Sequence, residues 1–217
     1  ILRMPNIFGK WSRPNYNSVV ATFCHNIARN KKVYISDPNS NISLLYIDDL
    51  VVKLKEYTKI GLHKKIIDHI KANHKITLQK LYNKINDFHI NRTRKIIGKI
   101  SKGLNKKLYS TYISFLPKNK ITYNIEKKND PRGSFAEFYK SKDTGQVSFF
   151  LAKKGKIRGH HFHHSKVEKF LVVQGRAIFN MFDISTKKKL SFKLNDKNLK
   201  IVESIPGYQH YIKNVGN

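Results

Sequence analysis

Between residues 155 and 175 the chain reads Gly-Lys-Ile-Arg-Gly-His-His-Phe-His-His-Ser-Lys-Val-Glu-Lys-Phe-Leu-Val-Val-Gln-Gly. Four of its ten histidines fall within five positions there. His161 and His163 are two apart, so on an extended strand both point to the same side. Glu168 follows after a further stretch in which a turn can return it beside them. Imidazole and carboxylate together hold Zn²⁺, Fe²⁺, Mn²⁺ or Ni²⁺. Near the end, Pro206-Gly207-Tyr208-Gln209-His210 adds one more histidine just after a tight turn. Tyr208 lies two residues before His210 on the same strand face, where it can donate a proton or simply line the interior. His160 and His164 have the opposite parity and face away if the strand is regular. A histidine that titrates at about 6.5 still suits reversible proton transfer.

These residues need strands to present them, and the second part of the chain supplies the pattern. Short runs of alternating or apolar residues fall at 121–125, 134–139, 146–151, 168–173, 176–182, 189–194 and 199–203, punctuated by Gly, Pro, Asn or Asp. That pattern predicts an antiparallel sandwich or barrel. The first part reads differently. Ile1-Leu2-Arg3 is too short for a complete strand, so the chain is expected to begin inside one. Asn17 or Ser18 caps a helix carrying Val19, Val20, Phe23, Ile27 and Ala28 at helical spacing. Lys32-Val33-Tyr34-Ile35 reads as a strand, and Leu44-Leu45-Tyr46-Ile47 as another that runs into a helix from Asp48-Asp49. Residues 62–100 read as helical, with Ile66, Ile67 and Ile70, then Leu78, Leu81, Tyr82 and Ile85 spaced by three or four, and Thr77 as the cap of the second helix. The expected fold class is α+β: an incomplete, mostly helical part of an α/β domain over 1–107, a linker over 108–120, and a β-sandwich over 121–217.

Composition narrows the function. The net charge is +29, but the lysines are scattered among Asn and Ile rather than set in a stripe with aromatics. No nucleic-acid-binding motif accompanies them, so a nucleic-acid partner is not expected. A solvated surface, or a funnel for a small anion, fits better. No apolar run is long enough to span a membrane, and Ile1-Leu2-Arg3-Met4-Pro5 has no signal-peptide character. The single cysteine, Cys24, allows no internal disulfide and suits a reducing cytoplasm.

The histidine stretch matches the first cupin motif: Gly155, then His161-x-His163, then Glu168 and Gly175. Pro206-Gly207 with His210 and Asn214 resembles the second, with one residue fewer between proline and glycine. Asp130-Pro131-Arg132-Gly133-Ser134-Phe135-Ala136-Glu137 and Arg158-Gly159-His160-His161-Phe162 resemble nucleotide-sugar 3,5-epimerases, themselves cupins, whose corresponding histidine is the catalytic base. Leu2-Arg3-Met4-Pro5-Asn6-Ile7-Phe8-Gly9 and Tyr46-Ile47-Asp48-Asp49 resemble the C-terminal half of an extended short-chain dehydrogenase/reductase. Bifunctional capsular-polysaccharide enzymes of the CapF type join these two pieces in this order, and the chain resembles that family almost throughout.

The resemblance implies a cupin that epimerises C3 of a UDP-linked 4-keto-6-deoxy sugar, and a reductase that reduces C4 with NADPH in the full-length family. The chain has no Gly-x-x-Gly-x-x-Gly turn after a strand, and the reductase Tyr-x-x-x-Lys pair is expected before Arg3. The chain is therefore expected to be an internal fragment of a longer protein, without nicotinamide binding of its own. His161, His163, Glu168 and His210 are the implied ligands of Zn²⁺ or another divalent metal. In a metal-free version His161 is itself the base, and His164 and Tyr208 are the other candidates for proton transfer. Arg132 is a candidate for the UDP diphosphate, or else an ion-pair partner of Asp130 or Glu137. Asn6 and Arg3 correspond to substrate-side positions of the reductase, though Asn6 also suits a loop cap. A homodimer is expected. A non-catalytic cupin that binds a nucleotide-sugar or mediates dimerisation is the alternative reading.

Overall fold

The computed structural model describes residues 1–59 and 68–216. It divides into two compact units, the first formed by 1–124 with 139–146 and the second by 125–138 with 147 onward.

The first unit opens with β1 (Leu2–Arg3) and β2 (Asn6–Phe8). Ser18 caps α1 (Val19–Ala28), its hydroxyl accepting the Ala21 N–H at 3.3 Å, which satisfies one of the free donors at a helix start. β3 (Asn41–Tyr46) runs straight into α2 (Ile47–Lys59), whose first turn carries Asp48 and Asp49 at the positive end of the helix dipole. β4 (Asp68–His69) and β5 (His74–Thr77) follow, and Thr77 caps α3 (Leu78–Thr93). The last helix is α4 (Gly103–Ser114). β2 and β3 are parallel, β5 is antiparallel to β3, and β1 pairs with β4 in parallel.

Helical spacing turns one face of each helix to a common core. Val20, Phe23, Cys24 and Ile27 of α1 meet Leu81, Ile85 and Phe88 of α3, Leu108 and Tyr112 of α4, and Phe8 and Leu44 of the sheet. Tyr112 is fully buried, and its hydroxyl lies 3.0 Å from His89 Nδ1, so its one polar atom is satisfied.

Several expectations give way here. Residues 108–120, expected as a linker, lie in α4 and a short 3₁₀ turn at Lys118–Lys120. Leu108, Thr111 and Tyr112 are buried, but the surrounding lysines, and a start at Lys102 with no side-chain cap, hide the helix from a pattern search. Of the two helices expected over 62–100, the second begins at Leu78 after its Thr77 cap, whereas from Asp68 to Thr77 the chain forms β4 and β5 in place of the first. Ile70 is buried beside Leu45 and Leu50 after strand β4, while Ile66 and Ile67 lie outside the described residues. Lys32–Ile35 and 121–125 form no strand among the described residues. Both segments have β-type residues, but a strand needs a partner to take its backbone donors and acceptors. At Ile121 the carbonyl accepts from the Arg92 guanidinium instead.

The second unit is all β. β6 (Lys127–Asp130), β7 (Gly133–Ser141) and β8 (Gly145–Ala152) form one three-stranded sheet. β9 (Ile157–His161), β10 (Lys169–Leu171), β11 (Arg176–Asp183), β12 (Lys189–Asn195), β13 (Ile201–Glu203) and β14 (Tyr208–Asn214) complete it. The order β12-β11-β14-β9 makes an antiparallel four-stranded sheet, and β10 pairs with β13. Ala177, Phe179, Met181, Leu194, Val202 and Ile212 form its core. The whole is of the α+β class. No helix among the described residues is long and apolar enough to cross a membrane.

The burial of α4 is open to test. Leu108→Ala is expected to destabilise the chain by about 2–5 kcal/mol, the range for a leucine removed from a packed core. An exposed linker leucine would change stability by no more than about 0.5 kcal/mol. Urea denaturation followed by circular dichroism separates the two.

Candidate metal centre

Four segments bring the candidate ligands together. His161 ends β9 and lies directly opposite His210 on β14. His163 follows two residues later, and its carbonyl accepts the Gly207 N–H at 2.8 Å, which ties it to the turn before β14. Glu168 precedes β10; its N–H donates to the Ser204 hydroxyl at 2.8 Å, and its carbonyl accepts the Ser204 N–H. The ligand atoms of His161, His163, Glu168 and His210 all lie within 4.8 Å of one another.

One carboxylate oxygen is the meeting point. Glu168 Oε2 stands 3.0 Å from His210 Nε2, 3.2 Å from His163 Nε2 and 3.8 Å from His161 Nε2. The other oxygen, Oε1, accepts from Lys166 Nζ at 2.6 Å. His210 is buried between Phe170 and Phe179, with ring centroids 5.7 and 5.8 Å away. His161 is half exposed. Three imidazoles and a carboxylate, one side open to solvent, are a donor set that Zn²⁺, Fe²⁺ or Mn²⁺ accepts, and the residues present fit such an ion.

The electrostatics follow from depth. Burial pushes the His210 ring below the ordinary histidine value, and the Glu168 carboxylate opposes that shift. At Glu168 burial acts to raise the pKa, but the Lys166 hydrogen bond and charge, with His163 and His210, bring it below the usual carboxylate value. A neutral His210 and an ionised Glu168 are the protonation states a metal ligand needs.

The other predicted residues lie elsewhere. His164 is exposed, its ring edge-on to Phe162 at 5.2 Å. Tyr208 directs its phenol to Asp183, whose carboxylate raises the phenol pKa and keeps the hydroxyl protonated. Arg132 holds Asp130 through Nε and Nη2, at 3.2 and 2.8 Å to Oδ2. In the first unit Asn6 lines a cleft of about 690 Å³ with Trp11, Arg13 and Tyr16, whereas Arg3 is exposed at the end of β1 and does not line it. Sequence reasoning missed Arg158. Its Nη1 donates to the same Asp130 oxygen at 3.0 Å, while Nε and Nη2 are buried with no hydrogen-bond partner among the described residues. Its place in Arg158-Gly159-His160-His161-Phe162 is the signal that was available.

Residues 128–217 match the family model described as polysaccharide biosynthesis C-terminal domain. The chain is 43% identical over 216 residues to a Pseudomonas aeruginosa protein named UDP-2-acetamido-2,6-beta-L-arabino-hexul-4-ose reductase, matching 100% of this chain and 58% of that protein. It superposes on crystal structures of CapF, one from Staphylococcus aureus and one with the inhibitor 3-isopropenyl-tropolone. Each shows 37% identity and a TM-score of 0.91 over 99% of this chain, and covers 60% and 62% of those chains respectively. The chain thus spans about three-fifths of the length of the relatives it matches.

In metal-stripped protein, the His210 ring is expected to protonate below the ordinary histidine range, and Glu168→Gln to lower that point further by removing the charge that favours the imidazolium. Because the ring is neutral in the fold and ionises on unfolding, its contribution to stability is lost as pH falls below about 6.5, the unfolded value. NMR titration of the imidazole signals checks the order, and a His210 that titrates above that value overturns it.

Proposed function

We propose that this chain, which is CapF-like along its whole length, carries the C3-epimerising centre of a nucleotide-sugar pathway for surface polysaccharide. The substrate is a UDP-2-acetamido-2,6-dideoxy-4-hexulose. The observation that carries the reading is the convergence of three imidazole nitrogens on one Glu168 oxygen, in a chain whose relatives include a protein named as a UDP-hexulose reductase.

His161, His163, Glu168 and His210 are the proposed holders of a Zn²⁺ ion. Such an ion supplies a Lewis acid for the negative charge that builds on the ketone oxygen when a proton leaves the neighbouring carbon. The chain's own residues do the rest. Removal of the C3 proton is proposed for His164, which is free of the ligand group, or for His161 if the histidines act without a metal. Tyr208, kept protonated beside Asp183, is proposed to return a proton on the opposite face. Arg132 is proposed for the diphosphate, with Arg158 joining it; Asp130 ties the two guanidinium groups together, and Nε and Nη2 of Arg158 are buried with no acceptor among the described residues. Arginine suits diphosphate because its planar fork matches two oxygens at once.

Reduction at C4, with NADPH as hydride donor, is proposed for a whole protein of this type rather than for these residues, with Asn6 and Arg3 on the substrate side. A cytoplasmic homodimer is the proposed working form. Phe138, Val147, Phe149 and Leu151 stand exposed on β7 and β8, an apolar stripe that supports association.

The chain purified without chelator is expected to hold about one Zn²⁺ per molecule. Incubated in D₂O with the UDP-4-keto sugar, it should place deuterium at C3, and His161→Ala should slow that exchange by about 100-fold or more. Unchanged exchange in this variant overturns the epimerase reading. Tight binding of the sugar nucleotide with no deuterium entry favours the non-catalytic cupin.

A further inference from the structure

Directly opposite residues of an antiparallel pair share one face of the sheet. On β9 and β14 the pairing is His161 with His210, but the next partner of β14, Tyr211, stands opposite Gly159 rather than His160. Ile212 then opposes Arg158, and Lys213 opposes Ile157. His160 is an extra residue on β9, a bulge. Its φ of +72° lies in the left-handed region, which residues other than glycine seldom adopt. Gly159 before it has φ +99°, and a Cβ there would lie 2.8 Å from the His210 carbonyl oxygen and 3.0 Å from Tyr211 Cα.

The bulge decides which histidine faces inward. Had the register from Lys213–Ile157 to Tyr211–Gly159 continued unbroken, His160 would stand opposite His210 and His161 would turn to the outer face. With the bulge, Arg158 and His161 both lie on the face of Ile212 and His210, although they are three apart and would lie on opposite faces of a regular strand. The side chains agree. His160 stacks on Tyr211 with ring centroids 4.5 Å apart and planes 7° from parallel. His161 sits 4.8 Å from the His210 ring, and the Arg158 guanidinium 5.9 Å from the Phe150 ring.

We propose that the Gly159–His160 bulge is the positioning device of the metal centre: its left-handed backbone selects His161 over His160 as the ligand and keeps Arg158 inside beside it. The device acts through backbone conformation, so the His160 imidazole and its stack on Tyr211 are dispensable. The proposal rests on the metal-centre reading, and the experiment below separates the two.

Zn²⁺ affinity is measured by titration of the chelator-treated chain, with the visible spectrum of the Co²⁺ form as a record of ligand geometry. His160→Gly and His160→Asn, which accept positive φ, are expected to bind within about threefold of the parent chain. His160→Val, β-branched, and Gly159→Ala, which meets the His210 carbonyl, are expected to lose about 10- to 100-fold, the range for changes that disturb ligand orientation, with an altered Co²⁺ spectrum. Circular dichroism and thermal melting verify that each variant is folded. His160 is exposed, so the valine variant remains informative if Gly159→Ala does not fold. A folded His160→Val that binds Zn²⁺ as tightly as the parent overturns the proposal, as does a tenfold loss in His160→Asn. Should the parent chain bind no Zn²⁺, the metal reading falls, and the bulge is judged by the NMR cross-peak between the His161 and His210 rings. That contact should be present in the parent and in His160→Asn, and absent in His160→Val; its persistence in the valine variant overturns the proposal.

Discussion

The second unit depends on holding one carboxylate at partial depth. An ionised side chain removed from water is costly unless its lone pairs are used, and every part of the Glu168 environment serves that end. Lys166 takes one oxygen, the imidazoles of His163 and His210 take the other, and Ser204 fixes the backbone on both its donor and its acceptor. These partners come from separate segments. The group forms only when β9 has paired with β14 and β10 with β13, so the polar cluster and the strand topology are one constraint.

The apolar floor beneath the cluster tunes it. Phe170 and Phe179 flank His210, and Phe179 belongs to the core that includes Ile212, which is two residues beyond His210 on β14. Removing water from one side of the ring favours the neutral imidazole, which keeps a lone pair available for a ligand. The opposite side is open enough that His161 stays half exposed. A second polar group lies around Asp130, where Arg132 and Arg158 share one oxygen. Two guanidinium groups on one carboxylate leave donors to spare, and Nε and Nη2 of Arg158 are buried with no acceptor among the described residues, a state that an incoming anion would relieve.

The first unit is held by different means. Three helices pack one apolar face each against the strands, and the caps at Ser18 and Thr77 begin two of those helices where the backbone needs an acceptor. Its basic residues remain largely at the surface while their chemistry is used locally. Arg92 takes the carbonyls of Lys120 and Ile121, Arg29 takes that of Phe115, and Lys107 pairs with Asp49. Positive charge thus fastens chain segments that carry few acids of their own.

Much of this was legible in the order of residues. The two-residue step from His161 to His163, with Glu168 and with His210 after a Pro-Gly turn, marked a candidate ligand group, and the fold brings those four side chains within 4.8 Å of one another. Asn17 or Ser18, and Thr77, marked helix starts because such side chains accept a free backbone N–H there, and the fold uses Ser18 and Thr77. Other features were not legible. Helix α4 was hidden because lysines on its wet face dilute the apolar repeat, and burial shows only once α1 and α3 are in place. Arg132 stood out as a candidate for the diphosphate or as an ion-pair partner of Asp130 or Glu137, while Arg158 was given no role. Parity along β9 could not place it beside His161, since the bulge at His160 changes which side each residue faces. The types and spacing of the candidate ligands are covalent facts, carried by the sequence itself. Which histidine of the adjacent pair turns inward is set by register against β14, a strand distant in the chain, and that pairing exists only in the folded structure.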